Sequence, residues 1–111
     1  MDISEERQGD MTILRPRGKI NNETSPVLQK KLLGCIGSEA SKVLIDLSDV
    51  EYMSTAGLRV LLMASKQSEG NKGHFAVAAL TPMVKEIFEI SRFALVVQVF
   101  ETTAEAIRAL S

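Results

Sequence analysis

The chain has no tryptophan, one tyrosine and four phenylalanines. With so few aromatic faces it offers no platform for stacking unpaired bases. A single cysteine, Cys35, excludes an internal disulfide and fits a reducing compartment. Neither sign of charge is in excess. The net charge is -1, which gathers neither a polyanion nor an anionic bilayer. No apolar run reaches the length of a bilayer crossing. The acidic start, Met1-Asp2-Ile3-Ser4-Glu5-Glu6, has no secretory core. No direct nucleic-acid contact, no membrane and a cytoplasmic location are therefore expected.

Catalytic and metal-binding patterns are also missing. The single histidine, His74, stands beside Gly73 with no partner motif and reads as a strand-edge residue. No spacing of His, Cys and carboxylates suggests a metal site, and neither a P-loop nor a dinucleotide fingerprint occurs. Gly70-Asn71-Lys72-Gly73 ends a helix rather than opening one, the wrong context for cradling phosphate. Cys35 falls on the apolar side of a helix and behaves most simply as a small hydrophobe. The expectation is no catalytic residue, no cofactor and no enzyme.

What is present is a well-patterned globular chain. At 111 residues it makes one domain, residues 1–111, large enough to need no metal or disulfide staple. Ile3 to Gln8 and Met11 to Arg17 read as strands around a Gly9-Asp10 hairpin turn. Pro16 donates no ladder bond, so a bulge or an exposed edge is expected there. Thr24-Ser25-Pro26 reads as a capping hydroxyl followed by Pro at a helix start, with Leu28, Leu32, Cys35 and Ile36 on one face. Gly34 inside that helix suggests close packing, and Gly37 a helix end. Lys42 to Leu47 is a strand apolar enough for burial on much of both faces.

Further on, a helix is expected from about Ala56 to Gln67, a strand at His74 to Ala79, and a helix opened by Thr81-Pro82. A fifth strand at Leu95 to Phe100 and a final helix opened by the capping box Thr102-Thr103-Ala104-Glu105 complete the chain. This alternation implies right-handed crossovers and an α/β fold. The expected sheet has five strands, mostly parallel, with one antiparallel edge strand and four helices.

The stretch from Val50 to Leu62 holds the distinctive chemistry. Two adjacent hydroxyls, Ser54 and Thr55, precede small residues where a strand gives way to a helix. A hydroxyl there can cap the helix. It also stands near free N–H groups at the positive end of the helix dipole, where a phosphate is well tolerated.

Asp46-Leu47-Ser48, Val50, Tyr52-Met53-Ser54-Thr55-Ala56-Gly57-Leu58 and Val60-Leu61 resemble the signature of the STAS domain. More narrowly, they resemble the bacterial anti-sigma factor antagonists. Gly18-Lys19-Ile20, Pro26 and Phe88-Glu89-Ile90-Ser91 extend the resemblance over nearly the whole chain. It implies a β/α superhelix. It also implies phosphorylation of the hydroxyl two places before the Gly, which is Thr55. Two positions depart from the family pattern: Ser54 stands where Asp is usual, and Asn21 where Asp is frequent. Ser54 therefore stays open as the alternative acceptor.

The partners implied are an anti-sigma factor that is a serine/threonine kinase, bound by the unphosphorylated form, and a protein phosphatase. Nucleotide would belong to the kinase. Asn21, Asn22, Tyr52, Met53, Ser54, Gly57 and Arg59 are the candidate contact residues, since strand exits at one end of a parallel sheet form its binding surface. The alternative is a STAS-fold assembly subunit of a transport or signalling complex, in which Ser54-Thr55 is only a cap.

Overall fold

The computed structural model describes residues 1–37 and 41–111. Strands β1 (Asp2–Gln8) and β2 (Met11–Ile20) lead into helix α1 (Ser25–Ile36) and strands β3 (Lys42–Asp46) and β4 (Val50–Met53). Helix α2 (Thr55–Gly70), β5 (His74–Ala78) and α3 (Pro82–Ser91) follow. A 3-10 turn at Phe93–Leu95, β6 (Gln98–Phe100) and α4 (Thr103–Leu110) close the chain. The sheet runs β1-β2-β3-β5-β6, with β4 attached to β2. Among the described residues only β1 and β2 pair antiparallel. The mostly parallel α/β sheet with one antiparallel edge and four helices thus forms as expected.

The strands differ most from the sequence reading in two places, and β2 runs on to Ile20, past the expected end at Arg17. Val50–Met53, outside the five expected strands, is a sixth strand. The first half of β2 pairs with β3, from Met11↔Lys42 to Leu14↔Ile45. Its second half then leaves β3 and pairs with β4, Lys19↔Tyr52 and Ile20↔Met53. The break in register falls at Gly18/Lys19, where Gly18 takes φ +100, a conformation suited to glycine. Pro16 lies just before this divergence, so the expected irregularity sits two residues further on. The other difference is at the end. Arg92 terminates α3 in the left-handed region, φ 57, and Phe93 turns inward against Phe88 with ring centroids 4.9 Å apart. The expected strand from Leu95 shrinks to Gln98–Phe100.

The helices bury one main core and one smaller one. Leu14, Ile20, Leu32, Val43, Ile45, Met53, Leu61 and Phe88 belong to the first, under α1, α2 and α3. Leu44, Ile13 and Ala76 face the other way, under Ala106 and Leu110 of α4. Strand β3 is buried on both faces, which is why its sequence is continuously apolar. Gly34 is exposed, and a side chain there would meet nothing within 4 Å, so close packing does not explain it. Burial pushes the half-buried Cys35 thiol up, with nearby Glu5 adding to the effect, consistent with an unreactive apolar role.

Asp46 is the one buried charged residue among those described. Its Oδ2 receives Arg15 Nε at 3.2 Å and the Thr103 hydroxyl at 3.0 Å, while its Oδ1 receives the Ser48 N–H at 2.9 Å. One carboxylate thus ties β2, α4 and the turn after β3 together. Burial pushes its pKa up, but the Ser48, Thr103 and Arg15 donors outweigh burial and hold it below the ordinary value. A lowered folded pKa gives stability that is present above the unfolded pKa, about 4, and lost as pH falls through the folded one. Asp46→Asn turns one acceptor into a donor facing donors. It should cost about 1 kcal/mol at neutral pH. Denaturant melts from pH 6 to pH 3 should show a shallower acid loss in this variant than in the parent.

Candidate functional site

Parallel pairing of β2 with β4 decides where the motif lies. Ile20 and Met53 end their strands side by side, and the Ser54 N–H donates to the Ile20 carbonyl at 2.8 Å. The Asn21 loop and the start of α2 therefore share the carboxyl end of the sheet. The Asn21 loop is braced from within. Asn21 Oδ1 accepts from the backbone N–H groups of Glu23 at 2.9 Å and Thr24 at 3.1 Å. The Thr24 hydroxyl accepts from the Asn21 N–H and donates to the Lys19 carbonyl at 2.8 Å. The sequence reading expected a capping hydroxyl in Thr24-Ser25 ahead of Pro26; Thr24 takes the cap position, with Ser25 the first helical residue. The Thr24 side chain makes no capping bond because the loop already uses it.

The two hydroxyls of the motif have different situations. Ser54 is the cap of α2: its Oγ accepts from the Gly57 N–H at 3.4 Å, and the residue is half-buried. Thr55 is the first residue of the helix and is exposed. The cap role that the sequence left open between the two thus falls to Ser54, the residue whose extended backbone, ψ 173, aims its side chain at the first turn.

Five of the expected contact residues lie at this end with some exposure. Asn22, Tyr52 and Arg59 are exposed, and Asn21 and Ser54 are half-buried. Met53 and Gly57 are corrections. Met53 is 1% exposed and part of the main core. Gly57 is buried, and a Cβ on it would stand 2.7 Å from Ile20 Cγ2 and 2.7 Å from Met53 Cγ. Both residues support the surface from below instead of forming it. In the strand Val50-Glu51-Tyr52-Met53, the outer residues Val50 and Met53 turn inward and the middle pair outward.

Two supports escaped the sequence reading. The Thr81 hydroxyl, which accepts from the Val84 N–H as an N-cap, also donates to the Val50 carbonyl at 2.8 Å, pinning α3 to β4. Asp46 orders the Ser48 turn that launches β4. The Asp-x-Ser spacing was a usable signal for the second. For the first there was no local signal, because the partner carbonyl lies 31 residues away. Among the described residues, no three His, Cys, Asp or Glu side chains come together as a metal site, and no helix is long and apolar enough to cross a membrane.

Fold and site together define a small α/β module that presents a helix-start hydroxyl at the carboxyl edge of its sheet. The STAS domain family model matches residues 2–106, and the chain belongs to that family. BtrV of Bordetella bronchiseptica, assigned as an anti-sigma factor antagonist, is 32% identical over 93 residues, covering 84% of this chain and 80% of its own. The crystal structure of a Thermotoga maritima protein given the same assignment superposes with a TM-score of 0.90 at 22% identity, covering 97% of this chain and 93% of its own. The phosphorylated form of the Bacillus cell fate determinant SpoIIAA superposes at 0.73 with 15% identity, covering 99% and 100%. These two structures speak to the fold.

Proposed function

We propose that this protein is an anti-sigma factor antagonist that works by partner switching. Its unphosphorylated form binds an anti-sigma factor that is also a serine/threonine kinase, and phosphate on Thr55 releases that partner. The phosphoryl group comes from a nucleoside triphosphate held by the kinase, and a protein phosphatase hydrolyses it off again. The observation that carries this reading is the division of labour between adjacent hydroxyls. Ser54 is engaged with the Gly57 N–H, while Thr55 is exposed on the first turn of α2. A phosphate on Thr55 would gain from the helix dipole without breaking the cap. The modification is therefore expected to alter docking and leave the fold intact.

Protein isolated from its native cell, and protein treated with the kinase that co-purifies with it, are the material for the test. Fragmentation mass spectrometry should place phosphate on Thr55. Phosphate on Ser54 would overturn the assignment of the acceptor. Stable absence of phosphate on both, with no kinase captured, would favour a simple assembly subunit.

A further inference from the structure

We propose that Arg59 is the internal counter-ion of phosphothreonine 55, so that phosphorylation adds a dianion and at the same stroke withdraws a cation from the docking surface. This rests on the reading of Thr55 as acceptor. Thr55 and Arg59 are four residues apart on α2, hence neighbours on one helix face. Acid first and base four residues later is the favourable order along a helix. Arg59 is exposed and is in none of the ion pairs or side-chain hydrogen bonds of the described residues, so nothing needs to be broken to recruit it. Its planar fork suits two phosphate oxygens at once.

The surroundings leave Arg59 as the cation best placed for this. Lys66 lies eleven residues beyond Thr55, a rise of about 16 Å along the axis. Lys19 is exposed on β2 beside Tyr52, on a different element. The acids of this end, Glu23 and Glu51, are exposed and make no ion pair with Arg59. When Thr55 is unmodified, Arg59 heads a groove of about 600 Å³ along α2, with Leu62, Met63 and Lys66 in its walls and no carboxylate. Such a cationic and apolar groove complements an acidic, apolar segment of a partner protein. Turning Arg59 toward the phosphate removes one of its two cations.

The experiment uses full-length protein with phosphothreonine installed at position 55 during translation, so no kinase is required. Phosphorus-31 NMR then follows the second ionisation of the phosphate. In the parent that ionisation should fall about 0.15–0.4 of a pH unit below its value in Arg59→Gln, the effect of the one negative charge that the second ionisation adds beside a cation at this spacing. Arg59→Lys should keep part of the difference, and Lys66→Gln should leave the parent value unchanged. The difference should shrink toward zero near 1 M salt, since the pair is exposed. Equal ionisation in parent and Arg59→Gln would overturn the proposal, as would a difference that follows Lys19→Gln instead. Either result leaves the choice of acceptor untouched, because mass spectrometric mapping decides that separately.

Discussion

Thr55→Glu should weaken binding of the proposed partner kinase by at least about 100-fold, while Thr55→Ala should bind within a few-fold of the parent. A carboxylate pressed into an interface that fits a neutral threonine is desolvated without a partner, and an uncompensated buried charge costs several kcal/mol. Alanine keeps the position small and neutral. Stability should rank the other way. Because Ser54 caps α2, neither change at Thr55 removes the cap. An acid in the first turn of a helix is favourable by about 0.3–1 kcal/mol, so Thr55→Glu should be slightly the more stable of the two. Ser54→Ala should be the variant that loses about 1 kcal/mol, as the cap goes. Calorimetric titration against the captured kinase and thermal melts of the same three variants supply both rankings. Parent-like binding by both Thr55→Glu and enzymatically phosphorylated protein would end the switch reading and leave the motif as a helix start.

Gly57→Val should cost about 3 kcal/mol or more and lower the melting temperature on the order of 15 °C, at roughly 5 °C per kcal/mol for a domain of this size. Any Cβ at Gly57 falls 2.7 Å from both Ile20 Cγ2 and Met53 Cγ, two fully buried side chains at the ends of β2 and β4. Neither contact is the free end of a flexible chain, so the helix start must lift away from the sheet. Gly57→Ala should be milder, about 1–2 kcal/mol, because alanine recovers up to about 1 kcal/mol of helix propensity. The displacement also moves Ser54 and Thr55, so partner affinity should fall along with stability. Melts of both variants check this, and a Gly57→Ala protein as stable as the parent would show that the packing has room to give.

Most of this architecture could be read from local pattern. The apolar run Val43 to Leu47 announced a strand buried on both faces, and it lies at the centre of the sheet. Thr81-Pro82 and Thr102 announced helix starts, and both hydroxyls cap. These signals work because capping, φ restriction and side-chain period act within a few residues. The readings that changed involve either partners far along the chain or nearby loop groups that compete for the same side chain. Val50–Met53 is too short for a period-two signal, and it is a strand only because the diverging half of β2 supplies its ladder. Thr24-Ser25-Pro26 promised a capping hydroxyl, but Thr24 holds the cap position while the Lys19 carbonyl and the Asn21 N–H take its hydroxyl.

The candidate site divides along the same line. The order of residues alone determined that two hydroxyls would stand at a helix start after a parallel strand, beside a chain exit at Asn21. Helix position follows from local dihedral and capping preferences, and parallel strands put their exits at one end. Which hydroxyl is occupied and which is exposed was decided by tertiary structure. The Ser54 N–H is held by Ile20, its backbone is extended, and its side chain therefore meets the Gly57 N–H while Thr55 faces out. The same packing turned Met53 and Gly57 from apparent contacts into the floor beneath the surface, because α2 approaches β2 and β4 closely enough that only a missing side chain fits.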